Sequence, residues 1–254
     1  MAHVLYEIHG SHPCVAVERA LQLKRQPYKL RELPPAFHVP LQWLRFRRLT
    51  VPVLVLGSGE TLIGSTTILH RLDELVPEPS LLPADPAARA RVEEAERWGD
   101  EVLQPAVRRM IWLGIKRNPH ALKGYAKGSK LPVPGPLQTP TARLVCRLAG
   151  WRNRADAATL QADSAAIPGW LDHVDELIAE GVVGGPQPNA ADLQIGSSLR
   201  LLGTFADVWP QLSARPAWQL ARRAFPSYPG EGEIPPGTYP IATPAPALAA
   251  AAAA

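Results

Sequence analysis

Apolar residues recur with one kind of period in the first third of the chain and with another in the rest. Short apolar runs at 4–8, 28–33, 53–56 and 60–63 predict four strands, the last two joined by the turn Gly57-Ser58-Gly59. Residues 13–23 place Val17, Ala20 and Leu21 on one face of a helix. Residues 65–75 do the same with Ile68, Leu72 and Leu75, while His70, Arg71, Asp73 and Glu74 take the other positions. The predicted order is β-α-β-(α)-β-β-α.

Pro77, Pro79, Pro83 and Pro86 punctuate the stretch 76–86, which neither continues a helix nor alternates like a strand. Beyond this linker the period is helical. Residues 87–115 carry Trp98, Val102, Val107, Ile111 and Ile115, with a kink expected where Pro105 removes a backbone donor. An irregular insert, 116–140, holds five lysines or arginines together with Pro132, Pro134, Pro136 and Pro140; such inserts are usually functional or mobile. Helical patterning returns over 141–160 and again over 170–180, where Trp170, Val174, Leu177 and Ile178 form a stripe. Asn189 starts a helix over 190–202, and a short helix is expected over 217–224. From Pro226 onward proline, glycine and alanine alternate with almost no charge, predicting an ordered crossing at most and then a disordered tail. The expected divisions are 1–78, a linker 79–86, a helical region 87–226 and a tail 227–254.

Composition narrows the function classes. The chain has 254 residues, 46% hydrophobic and 20% charged, enough for about two cores. No stretch approaches the roughly 18 uninterrupted apolar residues of a spanning helix, and the N-terminus lacks a basic segment followed by an apolar signal core. A cytoplasmic location without membrane contact is therefore expected. Cys14 and Cys146 are too few for a disulfide framework and lack zinc spacings. His3, His9, His38, His70, His120 and His173 show no metal-ligand spacing either, so no metal is expected. The net charge is +4, but basic residues are scattered in acidic company. Anionic small ligands fit that distribution as well as nucleic acid does, and nucleic acid is not the favoured partner.

Three segments carry candidate chemistry: Gly10-Ser11-His12-Pro13-Cys14, Thr50-Val51-Pro52-Val53-Leu54 and Gly64-Ser65-Thr66-Thr67-Ile68. In order and spacing the first resembles the Ser/Cys-Pro-aromatic-Ser/Cys segment that opens the first helix of cytosolic glutathione transferases. The second is similar to that family's Val-Pro-x-Leu and the third to its Glu/Gln-Ser-x-Ala-Ile. Asn189-Ala190-Ala191-Asp192-Leu193 resembles the family's Ser/Thr-x-x-Asp capping box. The resemblance spans roughly residues 3 to 225. It implies an α/β thioredoxin-like N-terminal domain (β-α-β-α-β-β-α) followed by an all-α C-terminal domain. It further implies a homodimer that transfers glutathione to electrophiles in detoxification, with Ser11 at the active-site position. Pro52 would then be cis, with the backbone of Val51 and the segment Gly64, Ser65 and Thr66 holding the cosubstrate. Gly64 stands where the family has an acidic or amide residue, and His12-Pro13 reverse the usual proline–aromatic order. Glutathione and other low-molecular-weight thiols both remain open as the cosubstrate.

The residues support this chemistry on physical grounds. A side chain at a helix start faces unpaired amides and the positive end of the macrodipole, which stabilise a thiolate. Ser11 suits donation to a bound thiolate, or a simple N-cap; Cys14 suits a mixed disulfide, or a small buried core residue. Ser65 reads as an N-cap and as a carboxylate anchor at once. Arg45, Arg47 and Arg48 read as carboxylate ligands or as a solvated face, and Tyr6 as core. Trp112, Tyr125 and the prolines around Pro134 are placed at an apolar second pocket. Two further readings stay open: a related enzyme on the same scaffold, an isomerase or a thiol-disulfide reductase using Cys14, and, from another class, a non-catalytic binding or regulatory protein.

Overall fold

The computed structural model describes residues 2–35, 38–131, 140, 144, 146–148, 156–228 and 233–241. Strand β1 (His3–Glu7) pairs in parallel with β2 (Tyr28–Glu32) and antiparallel with β3 (Val53–Val55), which pairs antiparallel with β4 (Thr61–Ile63). The sheet order is β2-β1-β3-β4. A parallel pair needs a crossover, and α1 (His12–Leu23) supplies it. Helix α2 (His38–Phe46) connects β2 to β3, and α3 (Ser65–Leu75) follows β4. Together these elements form a thioredoxin-like unit.

Alternation along the strands sorts the two sheet faces. Leu5, Leu54 and Leu62 stand opposite one another across β1, β3 and β4 and are buried with Val17, Ala20 and Leu21 of α1 and Ile68, Leu69 and Leu72 of α3. On the other face Tyr6 meets Phe46 of α2 edge-on, with ring centroids 5.1 Å apart.

The rest is helical. Helix α4 (Pro86–Trp98) runs through a π-helical turn, Gly99–Leu103, into α5 (Gln104–Arg117). That wide turn is the irregularity expected at Pro105, whose ring nitrogen has no hydrogen to give the carbonyl four residues back. Then come α6 (Leu122–Tyr125), α7 (Ala157–Ala179), α8 (Ala190–Leu202), α9 (Trp209–Leu212) and α10 (Pro216–Ala224). Helix α8 is buried along almost its whole length and packs against α1, α3, α4, α5 and α10, so it joins the two halves. The side-chain carbonyl oxygen of Asn189 accepts the Asp192 backbone amide at 3.0 Å while the Asp192 carboxylate accepts the Asn189 backbone amide at 2.9 Å, closing the expected box.

Three expectations need correction. The gap between helices over 161–169 is absent: α7 is continuous through Pro168 and Gly169, held because Ile167, Leu171 and Val174 are all buried on one side. The helix expected over 141–160 does not run unbroken into α7, because extended Asp156 caps α7 through the Thr159 amide at 2.8 Å. Finally, 233–241 is fastened rather than loose. Ile234 bridges to Phe205, and Asp207 accepts the amides of Gly237, Thr238 and Tyr239 at 2.7, 2.9 and 2.8 Å. Pro132, Pro134 and Pro136, like residues 242–254, lie outside the described residues.

Candidate functional site

Helix α1 begins where the chain turns sharply after β1. Gly10 takes φ +71°, and the Ser11 amide donates to the Ile8 carbonyl at 3.0 Å. Ser11 is the N-cap residue, extended at φ −69° and ψ 116°, yet its side chain makes no capping bond. The hydroxyl therefore stands at the positive end of a three-turn helix without capping a backbone amide of that helix.

The peptide between Val51 and Pro52 is cis. The Pro52 carbonyl accepts the Gly64 amide at 3.0 Å, which draws the start of β3 to the start of α3. Gly64, at φ +90°, is the N-cap of α3, so Ser65 is the first helical residue rather than the cap. The substitution of glycine permits that left-handed conformation, which a side chain would strain. The first amides of α3 consequently have no acceptor within the helix and suit a carboxylate. Ser65 is buried, and the Thr66 hydroxyl is buried without a partner.

Both helix starts open onto one cavity of about 630 Å³. Ser11, Val51, Pro52, Gly64, Ser65 and Thr66 all line it. The opposite wall comes from the helical half, with Ile111, Trp112, Ile115, Leu122 and Tyr125. Trp112 and Tyr125 thus stand where the apolar pocket was expected.

Cys14 is not brought to the cavity. It is fully buried, and burial followed by the Glu7 carboxylate pushes its thiol far above the ordinary range, against smaller opposing interactions with the Ile8 backbone and the Ser11 side chain. A thiol so placed has the surroundings of an inert core residue, which does not favour the disulfide-reductase reading. Glu7 itself is raised to about 8, by burial first and then by Glu18 and Glu32. Arg45, Arg47 and Arg48 do not line the cavity either; Arg45 lies over the rings of Tyr6 and Phe46, and Arg47 over Trp43.

Sequence reasoning missed four polar residues. His12 lines the cavity although 2% exposed; its Nδ1 lies 3.0 Å from the Ser198 hydroxyl and its Nε2 has no partner. Burial and then Arg108 hold its pKa well below the usual histidine value, so the ring is neutral. Asp100, Gln104 and Arg108 also line the cavity. The Asp100 carboxylate accepts from the side chains of Gln104 and Gln194, each at 2.8 Å, and Arg108 donates to Gln104. Burial raises the Asp100 pKa, with Arg108 and Gln104 opposing. The readable signal was the spacing of four among residues 100, 104 and 108, a polar row on an otherwise apolar helical stretch. Among the described residues no three His, Cys, Asp or Glu side chains are grouped as around a metal ion.

Residues 5–80 match the family described as the glutathione S-transferase N-terminal domain. Over about nine-tenths of the chain the fold is shared with solved structures at low sequence identity. A glutathione S-transferase from Rhodospirillum rubrum F11 is 21% identical, with 93% of this chain and 97% of that chain covered at a TM-score of 0.60. The β-etherase LigF from Sphingobium sp. strain SYK-6 is 20% identical, with 88% and 99% covered at a TM-score of 0.60. A Methylobacterium radiotolerans glutathione S-transferase, in complex with glutathione sulfonate, is 19% identical, with 88% and 90% covered at a TM-score of 0.52. No curated protein is matched by the sequence.

Proposed function

We propose that the chain, whose residues 5–80 match the glutathione S-transferase N-terminal domain, transfers a low-molecular-weight thiol, glutathione or an analogue, to an electrophile. The observation that carries this reading is the convergence of Ser11, Val51 and Ser65 on one cavity whose far wall is apolar. Ser11 donates its hydroxyl hydrogen to the thiolate, aided by the positive end of α1. The backbone of Val51, beside Pro52, orients the cosubstrate, and the α3 start at Gly64, Ser65 and Thr66 takes a carboxylate. The electrophile lies against Trp112 and its neighbours; the sulfur forms a bond to its electrophilic carbon, the leaving group departs with the bonding pair, and the thiol proton has already gone to solvent. The glutathione sulfonate held by a relative of the same fold supports glutathione as the thiol. The same reading takes the protein as a cytoplasmic homodimer divided at the linker 79–86.

Thermal denaturation against glutathione, mycothiol, bacillithiol and coenzyme A tests this. The true cosubstrate raises the melting temperature with concentration, and Ser65→Ala weakens that rise. If none of the thiols stabilises the protein, the reading is wrong.

A further inference from the structure

Helix α2 is turned inside out. Its one buried residue is polar, Gln42 at 1% exposure, whose amide donates to the Thr50 carbonyl at 3.4 Å. Apart from Phe46, which packs on Tyr6, its large apolar residues face solvent: Leu41 is 53% exposed, Trp43 52% and Leu44 75%. At helical spacing these three occupy one continuous arc, bordered by Arg45 and by Arg47 just beyond the helix. A soluble helix normally presents the opposite arrangement, and exposed apolar clusters of this kind mark contact surfaces.

Charge says what the contact is. Residues 33–59 contain Arg45, Arg47 and Arg48 and no aspartate or glutamate. Lys29 and Arg31, exposed on edge strand β2, pair with Val4 and Tyr6 and so lie on the sheet face that Phe46 of α2 covers. Glu32 pairs with Glu7 in the alternate register, on the opposite face, where it accepts from Ser129 and Lys130. Among the described residues none of these five cations is in an ion pair. Arg45 and Arg47 lie over aromatic rings within 6 Å, which keeps their charge while burying their stems.

We propose that α2 and its flanking cations form a docking face for an anionic phospholipid bilayer. Leu41, Trp43 and Leu44 enter the boundary between headgroups and acyl chains, and Arg45, Arg47 and Arg48 meet the lipid phosphates. A stable protein interface buries about 800 Å² on each side, usually around anchors set in a pocket, whereas here a few side chains protrude from a convex helix. Among the described residues no helix is long and apolar enough to cross a membrane, and the attachment proposed is peripheral. His38 and Val39 of α2 also line the cavity, so docking sets its mouth beside the lipid. If the transferase reading holds, apolar electrophiles dissolved in the bilayer then reach the site directly.

Co-sedimentation of the full chain with phosphatidylcholine vesicles, and with vesicles of phosphatidylcholine mixed with phosphatidylglycerol, tests the proposal; it needs no thiol and no turnover, so it stands or falls apart from the transferase reading. Expected is binding to the mixed vesicles that high salt weakens and that exceeds binding to phosphatidylcholine by about tenfold or more. The double variant Leu41→Ser with Leu44→Ser, and the triple variant R45Q, R47Q and R48Q, should each lose about tenfold or more of that binding while melting like the parent. Light scattering gives the state of the unbound protein. The proposal is overturned if the mixed vesicles leave the protein in solution or if both variants bind as well as the parent. It is also overturned if the leucine variant turns a dimeric parent into a monomer, because a second copy then covers this face.

Discussion

The Nδ1 of His12 lies 3.0 Å from the Ser198 hydroxyl, which fastens the residue after Ser11 to the central helix α8. Ser198 also lies 3.3 Å from the Gln194 carbonyl, and when its hydroxyl donates there its oxygen is the acceptor of a hydrogen on His12 Nδ1. That assignment places the proton on Nδ1, and Nε2 is buried without a partner, in accord with a neutral ring.

That neutrality predicts a pH dependence. The folded pKa of His12 lies well below 6.5, so on acidification the unfolded chain takes up a proton that the native chain refuses. The stabilising contribution is present above pH 6.5 and is lost as pH falls below it, at up to about 1.4 kcal/mol per pH unit. Glu7 acts in the other sense: its folded pKa, raised from 4.5 to about 8, gives stability that is present below 4.5 and lost as pH rises toward 8. Because Glu7 offsets this loss in the parent, the test is the difference: in urea unfolding between pH 7 and 5, His12→Asn should gain stability relative to the parent as pH falls. Identical slopes would show that His12 does not carry the effect.

Ser11 and Cys14 are separable by substitution. Ser11→Ala should slow conjugation by about tenfold to a thousandfold and raise the apparent pKa of the bound thiol, read from the pH–rate profile. Cys14→Ala should leave the rate nearly unchanged and cost about 1 kcal/mol of stability through lost packing. Slow turnover in the cysteine variant with an unaffected serine variant would reverse the assignment.

Asn189→Ala should destabilise the protein by about 0.5 to 2 kcal/mol. The upper part of that range is expected because the Asn189 amide also donates to the Val182 carbonyl at 2.8 Å. Thermal denaturation gives the loss, and thiol affinity should not move. A variant as stable as the parent would remove the cap from the account of α8.

Gly114 lies under the 233–241 segment. A β-carbon there would meet the Tyr239 hydroxyl, which donates to the Met110 carbonyl at 2.8 Å, and would come within 3.0 Å of Ile234. Gly114→Ala should therefore cost about 1–3 kcal/mol and speed amide exchange in residues 234–241. Unchanged protection of those amides would mean that the segment is not held by this contact.

The sequence alone determined the features that depend on near neighbours. The strands, α1, α3 and the start of α8 follow from periods of two and 3.6 and from a cap three residues from its partner. Ser11, Val51, Pro52, Ser65 and Thr66 were legible because each sits in a short segment with a recognisable order, and all of them line the cavity. Tertiary structure decided the rest. Cys14 and Ser11 share one turn, yet only packing against the core separates an inert thiol from a lining hydroxyl. Helical pattern was not legible over 161–169, which holds Pro168, because the burial of Ile167 and Leu171 that carries α7 through it depends on distant segments. His12 and Ser198 are 186 residues apart, and no window along the chain contains both. Local patterns fix which elements form; which polar atoms they bring together is set by contacts between distant segments, because burial and charge act through space rather than along the chain.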